Sequence, residues 1–448
     1  MRCVKVWLIM LAFAVFSAVN AEEPEVPETP EVPEEPQEVK KAKEPQEVKA
    51  ADLAELLHNS KDLFTLRGNA ISKRFPQLLW RSREKKTLYC PGAMLKNFCY
   101  SGEKIYDLQI NVENQQISAF EVTIYTRGDA GKLSRSEVKE KLRQYSAALA
   151  AMTGGTRNRS FGKLGNIRLQ TERYTGKNLI ADLEFVSGKN DAAERITLKF
   201  MPVGVSGEKF RDSIKTSVAS SSLSRKVIRK NGEHYILLPM VDQGEKGYCV
   251  PATVSRVLIY YGSDMDMHSV ARLLNADPKS GTNVQRTVNT LRDMVSKLRV
   301  RFAERYQFEL MRDARDYASF ARRYNRIAKK MKVDTIPGRR PKEMPQMTYA
   351  VFKEIRNNRP IRDFRKYVKS CIDRGVPICW SIMVFPTDKA AGGDGKKIGG
   401  HMRLITGYCD NGNIIYSDSW GKGHEKKVIR TDDAIAITKR LFTLEPRR

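Results

Sequence analysis

Cys249 opens the most strongly periodic apolar run in the chain, and that run constrains the fold more than any other stretch. Val250, Val254, Val257, Leu258 and Tyr261 recur at i, i+4, i+7, i+8 and i+11, and Gly262 ends the run. The spacing predicts a buried helix with Cys249 at its N-terminus and Pro251 in the first turn, where a missing N–H is not needed. Unpaired N–H groups and the helix dipole favour a thiolate at that position. The backbone N–H of Cys249 is also free to receive an oxyanion, and Gln243, six residues earlier, offers a second donor from its side-chain amide. Taken singly, such residues are more often a small buried cysteine and a loop glutamine. Their combination with the segment 401–421 changes that reading.

His401-Met-Arg-Leu-Ile-Thr-Gly-Tyr408 and Ile414-Ile-Tyr-Ser-Asp-Ser-Trp-Gly421 flank Asp410-Asn-Gly-Asn413. A tight turn at Asn411-Gly412 makes this an antiparallel hairpin and sets Asp418 opposite Ile405. Ile405 shares strand parity with His401, so His401 and Asp418 face the same side of the sheet. They are offset along the strands, and contact requires twist, a bulge or another register. A carboxylate here would hold the imidazole in one tautomer and stabilise its cation. Trp420 is placed to cover the pair and exclude water.

At these blocks the chain resembles the papain-like cysteine peptidases, over roughly residues 234–448. Gln243 precedes Cys249 by six residues, as the oxyanion-hole glutamine does in that fold. Cys249-Val-Pro-Ala252 running on to Tyr260-Tyr-Gly262 is most similar to the bacterial branch related to double-glycine leader peptidases. His401 with Gly407-Tyr408, then Asp418-Ser-Trp-Gly421, is similar to the histidine strand and Asn-Ser-Trp-Gly block of papain. Val250 stands where papain-type enzymes carry Trp, and Asp418 replaces Asn. The resemblance implies Cys249 as nucleophile, His401 as general base and acid, Asp418 as the orienting residue and Gln243 as oxyanion donor. The implied chemistry is acyl transfer through a thioester, with no separate cofactor. The expected class is α+β: a two-lobed catalytic domain, helical then antiparallel β, preceded by a small α+β domain.

Outside these blocks, Arg2 and Lys5, the apolar run Val6–Val19 and the small-residue site Val19-Asn20-Ala21 read as a signal peptide over 1–21. The expected location is therefore periplasmic or extracellular, with no transmembrane segment in the mature chain. Residues 22–50 carry ten Glu, six Pro and a repeated Pro-Gln-Glu-Val-Lys, a composition that stays extended as a tether. The whole chain is +27; setting aside the signal's +2 and the tether's −6 leaves +31 on residues 51–448. A surface that basic attracts anionic envelope polymers. No nucleic-acid-binding signature accompanies it.

Within 51–205, Lys104–Val112 and Ile117–Tyr125 alternate as half-buried strands. The residues 136–152 read as a helix capped by Ser134 or Ser136, and three strands follow at 166–174, 179–186 and 195–201. Residues 206–233, polar and basic, read as a linker. From 234 on, helical periodicity covers 249–261, 267–274, 284–297, a basic stretch to Lys332, and 361–373. Strands follow at 377–385, 401–407, 413–417 and 427–430. The basic stretch places Tyr317, Phe320, Ala321, Tyr324, Ala328 and Met331 on one helical face, expected to pack on its own domain rather than on a membrane.

Cys90 and Cys99 bracket a loop short enough for a disulfide, and the sequence leaves both redox states open. The five histidines form no metal-ligand spacing, and Gly392–Lys397 lacks the phosphate-loop pattern and reads as a loop on the cleft rim. The leading expectation is an exported cysteine peptidase acting on a peptide or protein. The alternatives are a non-catalytic papain-like module holding anionic envelope polymers, or an envelope amidase or transpeptidase.

Overall fold

The computed structural model describes residues 50–58, 63–81, 85–164, 167–188, 192–204, 218–263, 265–307, 313–342, 344–356, 361–385 and 398–447. The signal peptide, nearly all of the tether, the first part of the linker and Gly392–Lys397 lie outside the described residues. The chain divides into Met1–Val48 and Lys49–Arg448, and the description concerns the second. It is an α+β structure whose sheets are antiparallel except where Ala51–Asp52 pairs in parallel with Phe98–Tyr100.

The first sheet has eight strands in the order Leu79–Trp80, Thr87–Tyr89, Asp107–Glu113, Gln116–Thr126, Ala193–Pro202, Leu179–Ser187, Ile167–Thr175, Thr156–Leu164. Strict alternation gives it two unlike faces. Leu108, Ile110, Phe120, Val122, Leu198 and Phe200 turn inward to one hydrophobic cluster. That side is closed by the helix Arg135–Thr153, which buries Val138, Tyr145 and Leu149. Ser134 caps it, accepting from Glu137 N while Glu137 accepts from Ser134 N. The edge strand Thr156–Leu164 was not foreseen: Thr-Arg-Asn-Arg-Ser-Phe-Gly-Lys-Leu is largely solvent-facing and has no apolar alternation to read.

The second sheet runs Ile228–Lys230, Glu233–Tyr235, Gly399–Cys409, Ile378–Val384, Thr438–Pro446, Val300–Gln307, with Ile414–Ser417 and Lys427–Ile429 continuing from Gly399–Cys409. Two elements correct the sequence reading. Val300–Gln307, expected within a helical stretch, is a strand paired with Thr438–Pro446, and Phe302 stacks on Phe442 at 5.4 Å. The helix begins only at Ala314, where Asp313 caps it. Thr438–Pro446 itself was not expected, because it is buried on both faces and shows no alternation. On the helix Ala314–Met331, Tyr317, Phe320, Ala321, Tyr324 and Ala328 enter the core, while Met331 in the last turn stays 45% exposed. Its outer face shows Arg322, Arg323, Arg326, Lys329 and Lys330 to solvent. Cys90 and Cys99 are both free thiols, directed to the carbonyls of Pro91 and Ala51.

Candidate functional site

The helix Cys249–Tyr260 is buried along nearly its whole length and carries Cys249 at its first residue, half-buried against the core. Tyr248, the residue before it, provides no side-chain cap, so the first-turn N–H groups keep their partial positive charge beside the sulfur. Pro251 occupies the first turn as its chemistry allows.

The hairpin supplies the other half. Its loop is Asp410–Gly412, closed by Gly412 N to Cys409 O and Cys409 N to Asn413 O, both at 2.8 Å, with Gly412 at φ 87°. This is one residue longer than the expected turn. A bulge between Ile405 and Gly407 adds a second step, so Leu404 pairs with Ser417 and Asp418 falls beside Arg403 instead of Ile405. Two single steps preserve parity, which leaves His401 and Asp418 on one face and cuts their offset along the strands from four residues to two. His401 Nε2 meets Asp418 Oδ1 at 2.7 Å, and the Cys249 thiol engages the same ring by hydrogen bonding. With Nε2 occupied by Asp418, the nitrogen left for sulfur is Nδ1, an assignment made from partners.

Burial works against a charged His401, yet the charge and hydrogen bond of Asp418, aided by Cys249, outweigh it and raise the ring to about 9. Burial likewise favours protonated Asp418, but His401 and Arg403 hold it well below the usual carboxylate range. Arg403 Nε donates to Asp418 Oδ2 at 2.6 Å, and Ser419 N donates to Oδ1 at 2.8 Å. Arg256, about two helix turns beyond Cys249, donates to Asp418 O, Ser417 Oγ and Pro239 O. Trp420 stacks on His401 at 4.6 Å between centroids, and the Arg403 guanidinium lies 5.6 Å from its ring centre.

Gln243 is fixed at both ends of its amide. Its Oε1 accepts from Ser419 Oγ at 2.6 Å and its Nε2 donates to Lys246 O at 3.1 Å, leaving a second N–H on that nitrogen. The Gln243 backbone N–H donates to Ser419 O at 2.9 Å. Lys246 in turn is gripped by both carboxylate oxygens of Asp129, at 2.7 and 2.8 Å, from the short helix Arg127–Ala130 that follows the strand Gln116–Thr126. Contact there is close: a Cβ on Gly128 would stand 3.0 Å from the Tyr248 hydroxyl.

The structure therefore brings Cys249, His401 and Asp418 into one hydrogen-bonded chain, with Gln243 tied to the residue after Asp418. Arg403, Ser419 and Arg256 were not singled out from sequence. The available signal was Arg403 itself, a charge two residues from His401 on the same strand face in an otherwise apolar run.

This part of the chain is related to a class, the papain-like cysteine peptidases. More particularly, residues 235–439 match the model of the Peptidase_C39 like family, which indicates a peptidase. No curated protein and no solved structure matches the chain.

Proposed function

We propose that the protein is an exported cysteine peptidase with a two-lobed papain-like catalytic domain. The observation that carries this reading is the chain of contacts Cys249–His401–Asp418. In the proposed reaction the Cys249 thiolate attacks a peptide carbonyl, and the carbonyl π electrons move to oxygen. The Cys249 N–H and the unused Gln243 Nε2–H stabilise that oxyanion. His401, as imidazolium, protonates the departing amine while the carbonyl re-forms as a thioester. It then takes a proton from water, which attacks the thioester and releases the carboxylate and thiol. Asp418 keeps Nδ1 aimed at sulfur and Trp420 shields the pair from water. The apolar run at 6–19 supports export to the periplasm or beyond.

The test is turnover of general peptide and isopeptide substrates. Cys249→Ala is expected to abolish it, and Gln243→Ala to lower kcat by about 10²–10³. Turnover unchanged in Cys249→Ala sinks the reading.

The segment 51–205 is proposed to be a permanent accessory domain and not a removable prosegment, because Asp129 grips the residue whose carbonyl orients Gln243. Asp129→Asn should lower kcat about tenfold with KM little changed, since the oxyanion loop loses a charged anchor of roughly 1–2 kcal/mol. Unchanged or increased kcat contradicts it. The exposed basic face at 322–330 supports a second, non-catalytic role in holding anionic envelope polymers. Retention on such a polymer that resists added salt removes that role.

A further inference from the structure

The second face of the first sheet is charged where a packing face would be apolar. Gln109, Glu121, Lys199, Asp182 and Arg173 stand directly opposite one another across five strands, forming one polar row. Asp107 and Glu184 flank it on the same face. The alternate residues of the same strands are Leu108, Val122, Leu198 and Leu183, all buried on the helix side. A face that served only to join two halves of a molecule gains more from apolar contact than from buried charge.

This row floors a cavity of about 1480 Å³ whose opposite wall includes Asp242, Gly244, Lys246, Asp266 and Trp420. Cys249 and His401 do not line it, but Trp420 stacks on His401 and the loop 242–246 contains Gln243, so the cavity adjoins the candidate site. Its volume exceeds the roughly 300–1,000 Å³ of pockets for single small molecules, which suits a length of chain. Its pairings are uneven. Arg173 and Asp182 are joined by two bonds of 2.7 Å, whereas Lys199–Glu121 is 3.4 Å, Arg195–Glu184 3.6 Å and Arg195–Asp266 3.4 Å. Lys199 and Arg195 are thus held at longer range than Arg173. The lining also carries eight Asp/Glu against eight Lys/Arg, although the body of the chain is strongly basic. That balance disfavours a polyanion and favours a ligand bearing both signs.

We propose that this cavity is a substrate-binding chamber and that the accessory sheet recognises a peptide segment carrying both carboxylate and ammonium groups. The proposal rests on the reading of Cys249 as a peptidase nucleophile and assigns that site a substrate class. Lys199 and Arg195 meet the carboxylates, Glu184 and Asp107 the ammonium groups, and the segment runs past Trp420 to the thiol.

The experiment uses two pools of end-capped decapeptides, one with Lys and Glu distributed around a varied centre, the other with Gln in their place. Wild type should turn over the charged pool about tenfold better, and Lys199→Gln and Glu184→Gln should each shrink that ratio to near unity. A merely structural role lowers both pools together and keeps the ratio. Binding of the pools to the Cys249→Ala protein, followed by fluorescence anisotropy, gives a readout without turnover and decides the matter if a floor variant fails to fold. Equal handling of the two pools by wild type, or a ratio that survives both substitutions, overturns the chamber while leaving the peptidase reading intact. If the Cys249→Ala protein binds the charged pool in preference while wild type cleaves neither pool, the chamber is supported and the peptidase reading is overturned.

Discussion

Arg403→Met should destabilise the protein by about 3–5 kcal/mol, the usual result of removing one partner from a buried ion pair. Both Arg403 and Asp418 are 1% exposed, so Asp418 Oδ2 gains no water in exchange for the lost guanidinium. The stems are similar in bulk, and the loss is chiefly electrostatic; Tyr416 and Trp420 also lose the cation over their rings. The pH dependence has a definite sign. Asp418 titrates below the usual carboxylate range in the folded protein, so its contribution is present above the unfolded carboxylate value and lost as pH falls through the folded one. Without Arg403 the folded value rises, and acid unfolding should begin at higher pH than in wild type. Thermal and acid denaturation followed by circular dichroism measure both effects. Unchanged midpoints would show that Arg403 does not hold the carboxylate.

Asp418→Asn should act on the pH profile more than on the fold. The amide oxygen still accepts from His401 Nε2–H, but the negative charge that offsets burial is gone. The His401 value should therefore fall from about 9 by roughly two units, within the range an adjacent opposite charge supplies. In wild type the raised value makes the imidazolium's stabilisation fully present below the ordinary histidine range, about 6.5, and lost as pH rises through about 9. Activity that needs the imidazolium should share that alkaline limit. In the variant the alkaline limb of kcat/KM should move down by roughly two units, with kcat at neutral pH lower by about ten- to a hundredfold. A limb that stays near 9 would show that Asp418 is not what charges His401.

Much of the site was legible because its parts are local. A helix that begins at Cys249 and a hairpin that begins at His401 are each written in a few residues, and strand parity alone put His401 and Asp418 on one face. The register was not legible. The extra loop residue and the bulge at Ile405–Gly407 each shift pairing by one, and neither is signalled by the Asn-Gly dipeptide. Strands buried on both faces, such as Thr438–Pro446, lose the alternation that identifies a strand, and the polar edge Thr156–Leu164 never had it. Asp129 and Lys246 are 117 residues apart, and no local pattern pairs two surface-type charges over that distance. The two-faced first sheet was visible as alternation, but alternation cannot tell a solvated face from the floor of a cavity.

The most direct measurement is rapid quenching of the wild-type protein during turnover of a cleavable peptide, followed by intact-mass analysis and peptide mapping. The account predicts an acyl group in thioester linkage on the peptide containing Cys249, lost on neutral hydroxylamine treatment and absent from the Cys249→Ala protein. Continued turnover with no acyl group on Cys249, or equal turnover by Cys249→Ala, would contradict it.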